Sequence, residues 1–427
     1  TFPGRGQDVI DRLYEESKQD PDGLVRYRVL SYCPKCKSES IRLEVDKNSV
    51  RLRHICNKCG FSPNLFNSDS EIYRYLPSVI VGTVDRLARS GQTDRFSMLF
   101  TGPTSKCPSH GYTSFGECIE SKVCNDKLQP ILNIKDPCPS LLLQDEIHLL
   151  RESLGTYDAH YEGLVDVLSR GFGTGIPPKR IAATATIEGL EPHIYHLYVR
   201  EGRCFPVKGM GVNNSAYVEL EPDGLPGRLY VGVLPSGRDA DDVSRVVAER
   251  LCYLATARFN GKVDNPFYDF LLVYVNEKNT AGDIKADWQD EFSVQVLTGD
   301  KTLEEVRQVI ARVESDGIKP FPERLHSAIA TSVVSHGVDL ARLNQMVIVG
   351  MPRSAAEYIQ ASSRSGRSHI GLIFTVFRWQ NRRNVSMFEH FLETHDRLYQ
   401  LVQPVPVNRV SSSSLERTAT GLLASLV

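Results

Sequence analysis

Leu141-Leu142-Leu143-Gln144-Asp145-Glu146-Ile147-His148 runs from a short apolar strand directly into two carboxylates and a histidine. Polar side chains collected at the carboxyl end of a strand are the mark of a parallel α/β sheet. An aspartate there can hold Mg2+ through water, and the adjacent glutamate can polarise the water that attacks a γ-phosphate. Taken alone, an Asp-Glu pair at a strand end is usually a solvated turn. The neighbouring sequence raises the reading above that. Val79-Ile80-Val81-Gly82 before it and Arg180-Ile181-Ala182-Ala183-Thr184 after it are also strand-like and end in polar clusters. Thr184-Ala185-Thr186 offers hydroxyls that can bond the acid and report nucleotide state.

Further along, 270–275, 292–297, 328–331, 345–349 and 371–376 repeat the same alternation of apolar strands with helical spacing, which predicts a second α/β sheet. Thr331-Ser332-Val333-Val334-Ser335-His336-Gly337-Val338-Asp339 follows one of these strands, and Gln360-Ala361-Ser362-Ser363-Arg364-Ser365-Gly366-Arg367 comes about twenty residues later. A helix over 354–363 would release Arg364 and Arg367 three residues apart at its end, with both guanidinium groups able to reach a triphosphate across a domain cleft. An arginine so placed stabilises charge on a transferred phosphoryl group. A basic helix end answering its own dipole is the plainer alternative.

Composition bounds the rest. The chain has 427 residues, 41% hydrophobic and 24% charged, with 50 Lys+Arg against 52 Asp+Glu. That length implies two or three domains and excludes neither fold nor function by itself. The charge balance excludes a disordered acidic protein and a histone-like basic one, so any nucleic-acid surface is local. Residues 351–390 supply a candidate, with six arginines against two glutamates. No apolar run approaches the ~20 residues of a membrane span, and the first residues lack a signal-peptide pattern. A cytoplasmic protein with no membrane partner is expected, with its ten cysteines reduced.

Four cysteines have a metal spacing: Cys33-Pro34-Lys35-Cys36, nineteen residues, then Cys56-Asn57-Lys58-Cys59. Two C-x-x-C knuckles flanking a short hairpin predict a structural zinc ribbon, because four thiolates fill the tetrahedron and leave no open position. One redox C-x-x-C, or four unrelated core cysteines, is the alternative. Cys107, His110, Cys118, Cys124 and Cys138 follow at irregular spacing in a Pro/Gly/Ser-rich stretch, and four of these five could hold a second Zn2+. Cys204 and Cys252 stand alone and are expected to be buried small hydrophobes.

Taken together and in order, 145–148, 184–186, 331–339 and 360–367 resemble motifs II, III, V and VI of the superfamily 2 helicases. Val81-Gly82-Thr83-Val84-Asp85-Arg86-Leu87 is similar to the family's strand-contacting motif in the first lobe. Val273 to Glu277 is similar to motif IV, and Leu297-Thr298-Gly299-Asp300 to a second-lobe contact. In detail the zinc insert, the Thr-Ala-Thr box, Gly227 to Val233 and the Ser-Arg-Ser-Gly-Arg box resemble the helicase subunit of bacterial DISARM anti-phage systems.

The resemblance implies two RecA-like parallel-sheet lobes, the first incomplete at its amino end, with zinc-ribbon-type insertions. Residues 1–190 would be the first lobe, with a ribbon insert at 30–62 and a Cys-rich insert at 101–140. Residues 191–265 would be a connector, 266–395 the second lobe and 396–427 the start of a carboxyl-terminal extension. It implies ATP and Mg2+ as well as zinc, a DNA partner with RNA as the alternative, and other defence subunits. Asp145, Glu146, His148, Gln360, Arg364 and Arg367 would act in hydrolysis. Asp145, Thr184, Thr186, Gly337 and Asp339 would sense nucleotide, and Gly82, Thr83, Arg86, Thr298, Thr331 and Ser332 would touch the nucleic-acid backbone, fixing register without reading sequence.

One part of the pattern is missing. The sequence contains no G-x-x-x-x-G-K-[ST] loop to cradle phosphates. Gly299-Asp300-Lys301-Thr302 lies after a second-lobe strand and lacks the earlier glycine, and Gly4-Arg5-Gly6 lacks the lysine. The expectation is a motor whose amino-terminal third lies outside these residues, with more sequence beyond the apolar helical end at 421–427. A nucleic-acid-binding scaffold that no longer hydrolyses nucleotide is the alternative.

Overall fold

The computed structural model describes residues 7–20, 23–87, 93–122, 124–132, 134, 136–184, 188–205, 208–211, 214–215, 224, 227–259, 266–288, 292–301, 303–316, 319–320, 323–331, 340–404 and 406–426. The chain divides into two compact units. The first comprises Thr1–Thr184, Glu191–Gly202 and Val405–Val427, and the second Ala185–Leu190 and Arg203–Pro404.

In the first unit, β1 (Ile41–Asp46) and β2 (Arg51–Cys56) form an antiparallel hairpin that pairs Ile41 with Cys56 and Asp46 with Arg51. Leu52, His54 and Cys56 alternate inward along β2. Leu52 and Val50 pack on Ile10 and Leu13 of the helix Gln7–Gln19. The helix Asp69–Tyr75 follows, opened by a capping box in which Ser68 and Glu71 satisfy each other's backbone amides. A three-stranded antiparallel sheet then forms from β3 (Ser105–Cys107), β4 (Gly111–Thr113) and β5 (Gln129–Pro130), with β3 central.

The strand quoted first is β6 (Leu141–Gln144), and it pairs in parallel with β7 (Lys179–Ala182). Between them runs the 21-residue helix Glu152–Phe172. Its Tyr161, Leu164, Val165 and Leu168, spaced i, i+3, i+4, i+7, bury one face with Phe100 and Leu142. Leu141 and Leu143 point the other way and are exposed. Val79–Gly82 is not a strand: it is irregular, and Val79 and Val81 are 78% and 90% exposed. β-Propensity needs a partner ladder, and among the described residues none lies beside this stretch.

The second unit opens with the short antiparallel pair β8 (Lys208–Gly211) and β9 (Asn214–Ser215). Its main sheet contains β10 (Arg228–Val233), β11 (Leu271–Val275), β12 (Val294–Leu297), β13 (Ser327–Ala330), β14 (Gln345–Val349) and β15 (Gly371–Val376). The order is β10-β15-β14-β11-β13-β12, and every pairing is parallel. β11, β13 and β14 are buried throughout, which is why they read as unbroken apolar runs.

Along β11, Leu272 and Tyr274 join a core with Met346, Ile348, Tyr358 and Ile359, while Leu271, Val273 and Val275 join a second core with Ala248, Cys252, Ala281 and Ile284. The sheet is therefore covered on both faces, each buried Leu, Ile or Val contributing about 1.5–3 kcal/mol.

Two stretches sit differently from the sequence expectation. Residues 191–265, expected as a connector with a strand-like 227–233 and the second lobe's first helix at about 240–257, supply that helix (Ala240–Phe259) and the edge strand β10 to the second unit, while Glu191–Gly202 belongs to the first. The helix Ser412–Leu426, expected to begin an extension, packs on Glu152–Phe172 in the first unit. There His160 lies 2.8 Å from Thr418 Oγ1 and 2.7 Å from the Arg409 carbonyl oxygen. The pairing of β10 at the sheet edge and the docking of the last helix are neither periodic nor local, so these do not show in the sequence. Cys252 is buried as expected, but Cys204 is exposed.

Candidate functional site

The chain turns sharply as it leaves β6. Glu146 adopts φ 53° and ψ 47°, a left-handed conformation rare for a side chain larger than glycine. Such strain persists only where surrounding bonds over-determine it. Here they do: Ala183 N–H donates to the Gln144 carbonyl (2.8 Å), Ile147 N–H donates to the Ala183 carbonyl (3.1 Å), and His193 Nε2 lies 3.2 Å from the Ile147 carbonyl oxygen. Ile147 is fully buried and anchors the turn.

The turn brings three expected residues together. His148 Nδ1 is 3.3 Å from Glu146 Oε2 and 3.0 Å from Thr184 Oγ1. His148 is buried and Glu146 partly exposed, so the chain of contacts leads from the tip of β7 out to the surface. Asp145 is exposed, and its Oδ1 accepts the Glu146 N–H at 2.9 Å. A solvent-facing carboxylate of this kind suits an ion held through water. Thr186 lies outside the described residues.

Behind the tip, Gln144 is held at both ends of its amide. Its Nε2 donates to Asp158 Oδ2 at 2.9 Å, and its Oε1 accepts from the Tyr198 hydroxyl. Burial, reinforced by nearby Glu162, pushes the Asp158 carboxyl up to about 7 against the lowering effect of Gln144 and Arg180. Arg180 on β7 bridges Glu162 (2.7 Å) and Asp166 (2.6 Å) below the same strand pair.

In the second unit, Thr298 and Thr331 end the adjacent strands β12 and β13, and Thr331 N–H donates to the Leu297 carbonyl at 3.2 Å. Both threonines are buried. Ser332, Gly337 and Asp339 lie outside the described residues. The helix Ala355–Ser362 starts at Ser354, whose hydroxyl accepts the Glu357 N–H. Gln360 is buried on it, and Arg364 and Arg367 follow in the turn that ends it, Arg367 exposed.

That turn depends on Gly366, at φ 83°, where an added Cβ would lie 2.8 Å from the Gly227 carbonyl oxygen. Arg228 on β10 holds the same turn by donating to the carbonyls of Ser365 (2.8 Å) and Ser363 (2.9 Å). Sequence reading missed Arg228, Asp158 and Tyr198 as supports. Arg228 does stand inside the Gly227 to Val233 stretch singled out above, the one available signal.

Gly82 and Thr83 are exposed, and Arg86, in the last turn of the short helix Val84–Leu87, has its Nη1 2.9 Å from Asp69 Oδ2. At 49% and 31% exposure this pair contributes little and leaves Arg86 able to exchange partners.

The expected ribbon cysteines converge. Cys33, Cys36, Cys56 and Cys59 place their sulfurs within 4.8 Å of one another, with Cys33 to Cys59 at 3.7 Å and Cys36 to Cys56 at 3.6 Å. Sulfurs about 2.3 Å from a tetrahedral Zn2+ sit about 3.8 Å apart, so the donor set fits that ion. Cys107, His110, Cys118 and Cys124 converge as well. Cys138 does not: its thiol donates to the Phe100 carbonyl at 3.3 Å, beside Phe100 in an apolar cluster. Its sequence neighbourhood suggested a ligand, but its strand-entry position at β6 carries it to the core instead.

The family described as helicase conserved C-terminal domain matches residues 248–369. The DISARM protein DrmA of Bacillus paralicheniformis is 30% identical over 432 residues, covering 92% of this chain and 38% of that protein. Residues 248–369 thus carry a helicase C-terminal domain, and the chain resembles DrmA over most of its length. The chain also aligns over 81 residues, 28% identical, with the ATP-dependent RNA helicase dhh1 of Aspergillus clavatus, covering 19% of this chain and 15% of that one.

The helicase MrfA, in a crystal structure with DNA and AMPPNP, shares the fold at TM-score 0.50 and 16% identity, covering 81% of this chain and 40% of that one. The chain thus spans well under half the length of DrmA and MrfA. Among the described residues no helix is long and apolar enough to cross a membrane.

Proposed function

We propose that these residues are part of an ATP-driven nucleic-acid motor, a helicase or translocase acting on DNA in anti-phage defence together with other subunits in the cytoplasm. The observation that carries the reading is the Glu146, His148 and Thr184 contact chain at the tip of β6. It couples a water-activating acid to the next strand, an arrangement a passive surface has no physical need for. The DISARM name of DrmA and the DNA and AMPPNP bound to MrfA support the setting and the ligands.

In this reading Asp145 would hold Mg2+, and Glu146 takes the proton of the attacking water. Bound Mg2+ neutralises charge on the phosphate oxygens. His148 carries the state of Glu146 to Thr184, while Gln360, Arg364 and Arg367 serve the developing phosphoryl charge. Thr186, Gly337 and Asp339 sense nucleotide. Gly82, Thr83, Arg86, Thr298, Thr331 and Ser332 follow the nucleic-acid backbone by contacts that carry no sequence information. The ribbon Zn2+ is structural.

A second reading, a nucleic-acid-binding scaffold without hydrolysis, is favoured by the lack of a G-x-x-x-x-G-K-[ST] loop in these 427 residues. Phosphate release by the intact natural protein, with and without DNA and compared with Glu146→Gln, separates the two. DNA-stimulated release abolished by the substitution supports the motor. DNA binding without any release overturns it in favour of the scaffold.

A further inference from the structure

We propose that Cys107, His110, Cys118 and Cys124 hold a second Zn2+, and that buried Arg74 joins this centre to the Cys33 ribbon as one metal-stapled module. The inference goes beyond the motor reading and does not depend on it.

The ligand atoms of the four residues lie within 4.8 Å of one another. Cys107 Sγ is 3.6 Å from Cys124 Sγ and 3.7 Å from His110 Nδ1. Tetrahedral zinc with sulfur at about 2.3 Å and nitrogen at about 2.05 Å separates two sulfurs by about 3.8 Å and sulfur from nitrogen by about 3.6 Å. The observed distances match those edges and are far too long for a disulfide. Three thiolates with one imidazole suit zinc over the oxygen-seeking cations.

The segment also needs such a staple. Apart from Pro103, Cys107 and Cys118 are the buried apolar side chains among the described residues of 102–140. A stretch with so little core is held by a metal or by nothing. Gly111, at φ 91°, closes the knuckle between β3 and β4, where an added Cβ would lie 2.3 Å from the Arg74 carbonyl oxygen. The knuckle is thereby pressed against the helix Asp69–Tyr75.

Arg74 makes the connection. Its side chain is fully buried, and it donates to the carbonyls of Ser49 (3.0 Å) and Val50 (2.8 Å) in the turn of the ribbon hairpin. On its other side Nε faces Glu120 Oε1 at 3.9 Å, and Ser70 donates to the same oxygen at 3.2 Å. Glu120 lies between the ligands Cys118 and Cys124. A guanidinium this deep is tolerated only while its partners stay in place. Emptying either metal centre removes one set of partners, so the other centre loosens with it.

The test is zinc content and zinc release of the whole protein. Elemental analysis after dialysis should give at least two Zn2+ per chain, and Cys118→Ser with Cys124→Ser should give one fewer. A single ion in the unaltered protein overturns the second site. Should the serine variant precipitate, cobalt substitution of the unaltered protein decides: two distinct visible spectra, four-thiolate and three-thiolate-one-imidazole, support the site, and the four-thiolate spectrum alone overturns it.

For the coupling, a colorimetric chelator should extract both ions with one rate constant. Glu120→Gln should split the release into two phases about tenfold apart, the scale expected when a supporting contact of a metal site is lost. Two phases in the unaltered protein, or one unchanged phase in Glu120→Gln, overturns the coupling.

Discussion

Arg228 and Ser365 are joined by a 2.8 Å hydrogen bond from the guanidinium Nε to the backbone carbonyl, with Nη2 of the same arginine on Ser363 at 2.9 Å. An arginine on an edge strand thus holds the turn that presents Arg364 and Arg367. Half-exposed bonds of this type contribute about 1 kcal/mol each. Arg228→Met should therefore lower the stability of the second unit by about 2 kcal/mol and speed hydrogen exchange at the Gly366 amide, which donates to Leu343. Unchanged exchange at Gly366 would show that the turn stands without Arg228.

Gly366→Ala should be worse. The position combines φ 83° with backbone atoms of Gly227 and Gly371 at 2.8 Å from any Cβ, and neither contact belongs to a flexible side chain. The loss should exceed about 2 kcal/mol in chemical denaturation followed by fluorescence of Trp288 and Trp379 in the same unit. A variant as stable as the parent would mean that the turn relaxes freely.

Thr184→Val removes the hydroxyl that meets His148 Nδ1 at 3.0 Å while keeping the side chain's shape. If the contact chain couples the two strand tips, DNA-stimulated turnover should fall by roughly tenfold to a hundredfold with little change in nucleotide affinity. Equal loss of binding and turnover would instead point to general damage.

Asp158 gives the first unit a pH dependence. Burial raises its carboxyl to about 7, so the native state holds a proton that the unfolded state, near 4, has released. Between those values the unfolded state binds fewer protons, and stability falls as pH rises. The contribution is complete below pH 4 and lost through pH 7. Asp158→Asn keeps an acceptor for Gln144 and should remove on the order of 3 kcal/mol of the decline between pH 5 and pH 9. Thermal unfolding across that range checks it, and parallel pH curves for parent and variant would refute the assignment.

Stripping zinc with a strong chelator should expose the amides of 41–56 and 69–75 to exchange while β11 and β14 stay protected. The ribbon has only a small core around Leu13 and Leu52, whereas the second unit carries two cores of its own. Loss of protection in β14 would contradict the separation of the two units.

Much of this protein was legible in its residues. Parallel strands buried on both faces must be apolar throughout, so β11, β13, β14 and β15 announced themselves within a residue or two. The convergence of Cys33, Cys36, Cys56 and Cys59 was equally plain, because two C-x-x-C pairs flank one short hairpin. The strand β6 was read correctly from its apolar run and its acidic end. Val79–Gly82 was not, since an apolar, β-branched run predicts a strand only where a neighbour completes its hydrogen bonds.

The sequence by itself determined most of the local elements and the two C-x-x-C pairs whose sulfurs converge, since periodicity, chirality and ligand spacing act over short stretches. Tertiary structure alone decided which side chains from distant stretches meet. It placed β10 beside β15 so that Arg228 reaches Ser365, set Asp158 and Tyr198 on Gln144, and returned the helix Ser412–Leu426 to the first unit. It also took Cys138 into the core and left Cys107, His110, Cys118 and Cys124 together. Such meetings follow from packing whole elements against one another, and no spacing along the chain encodes them.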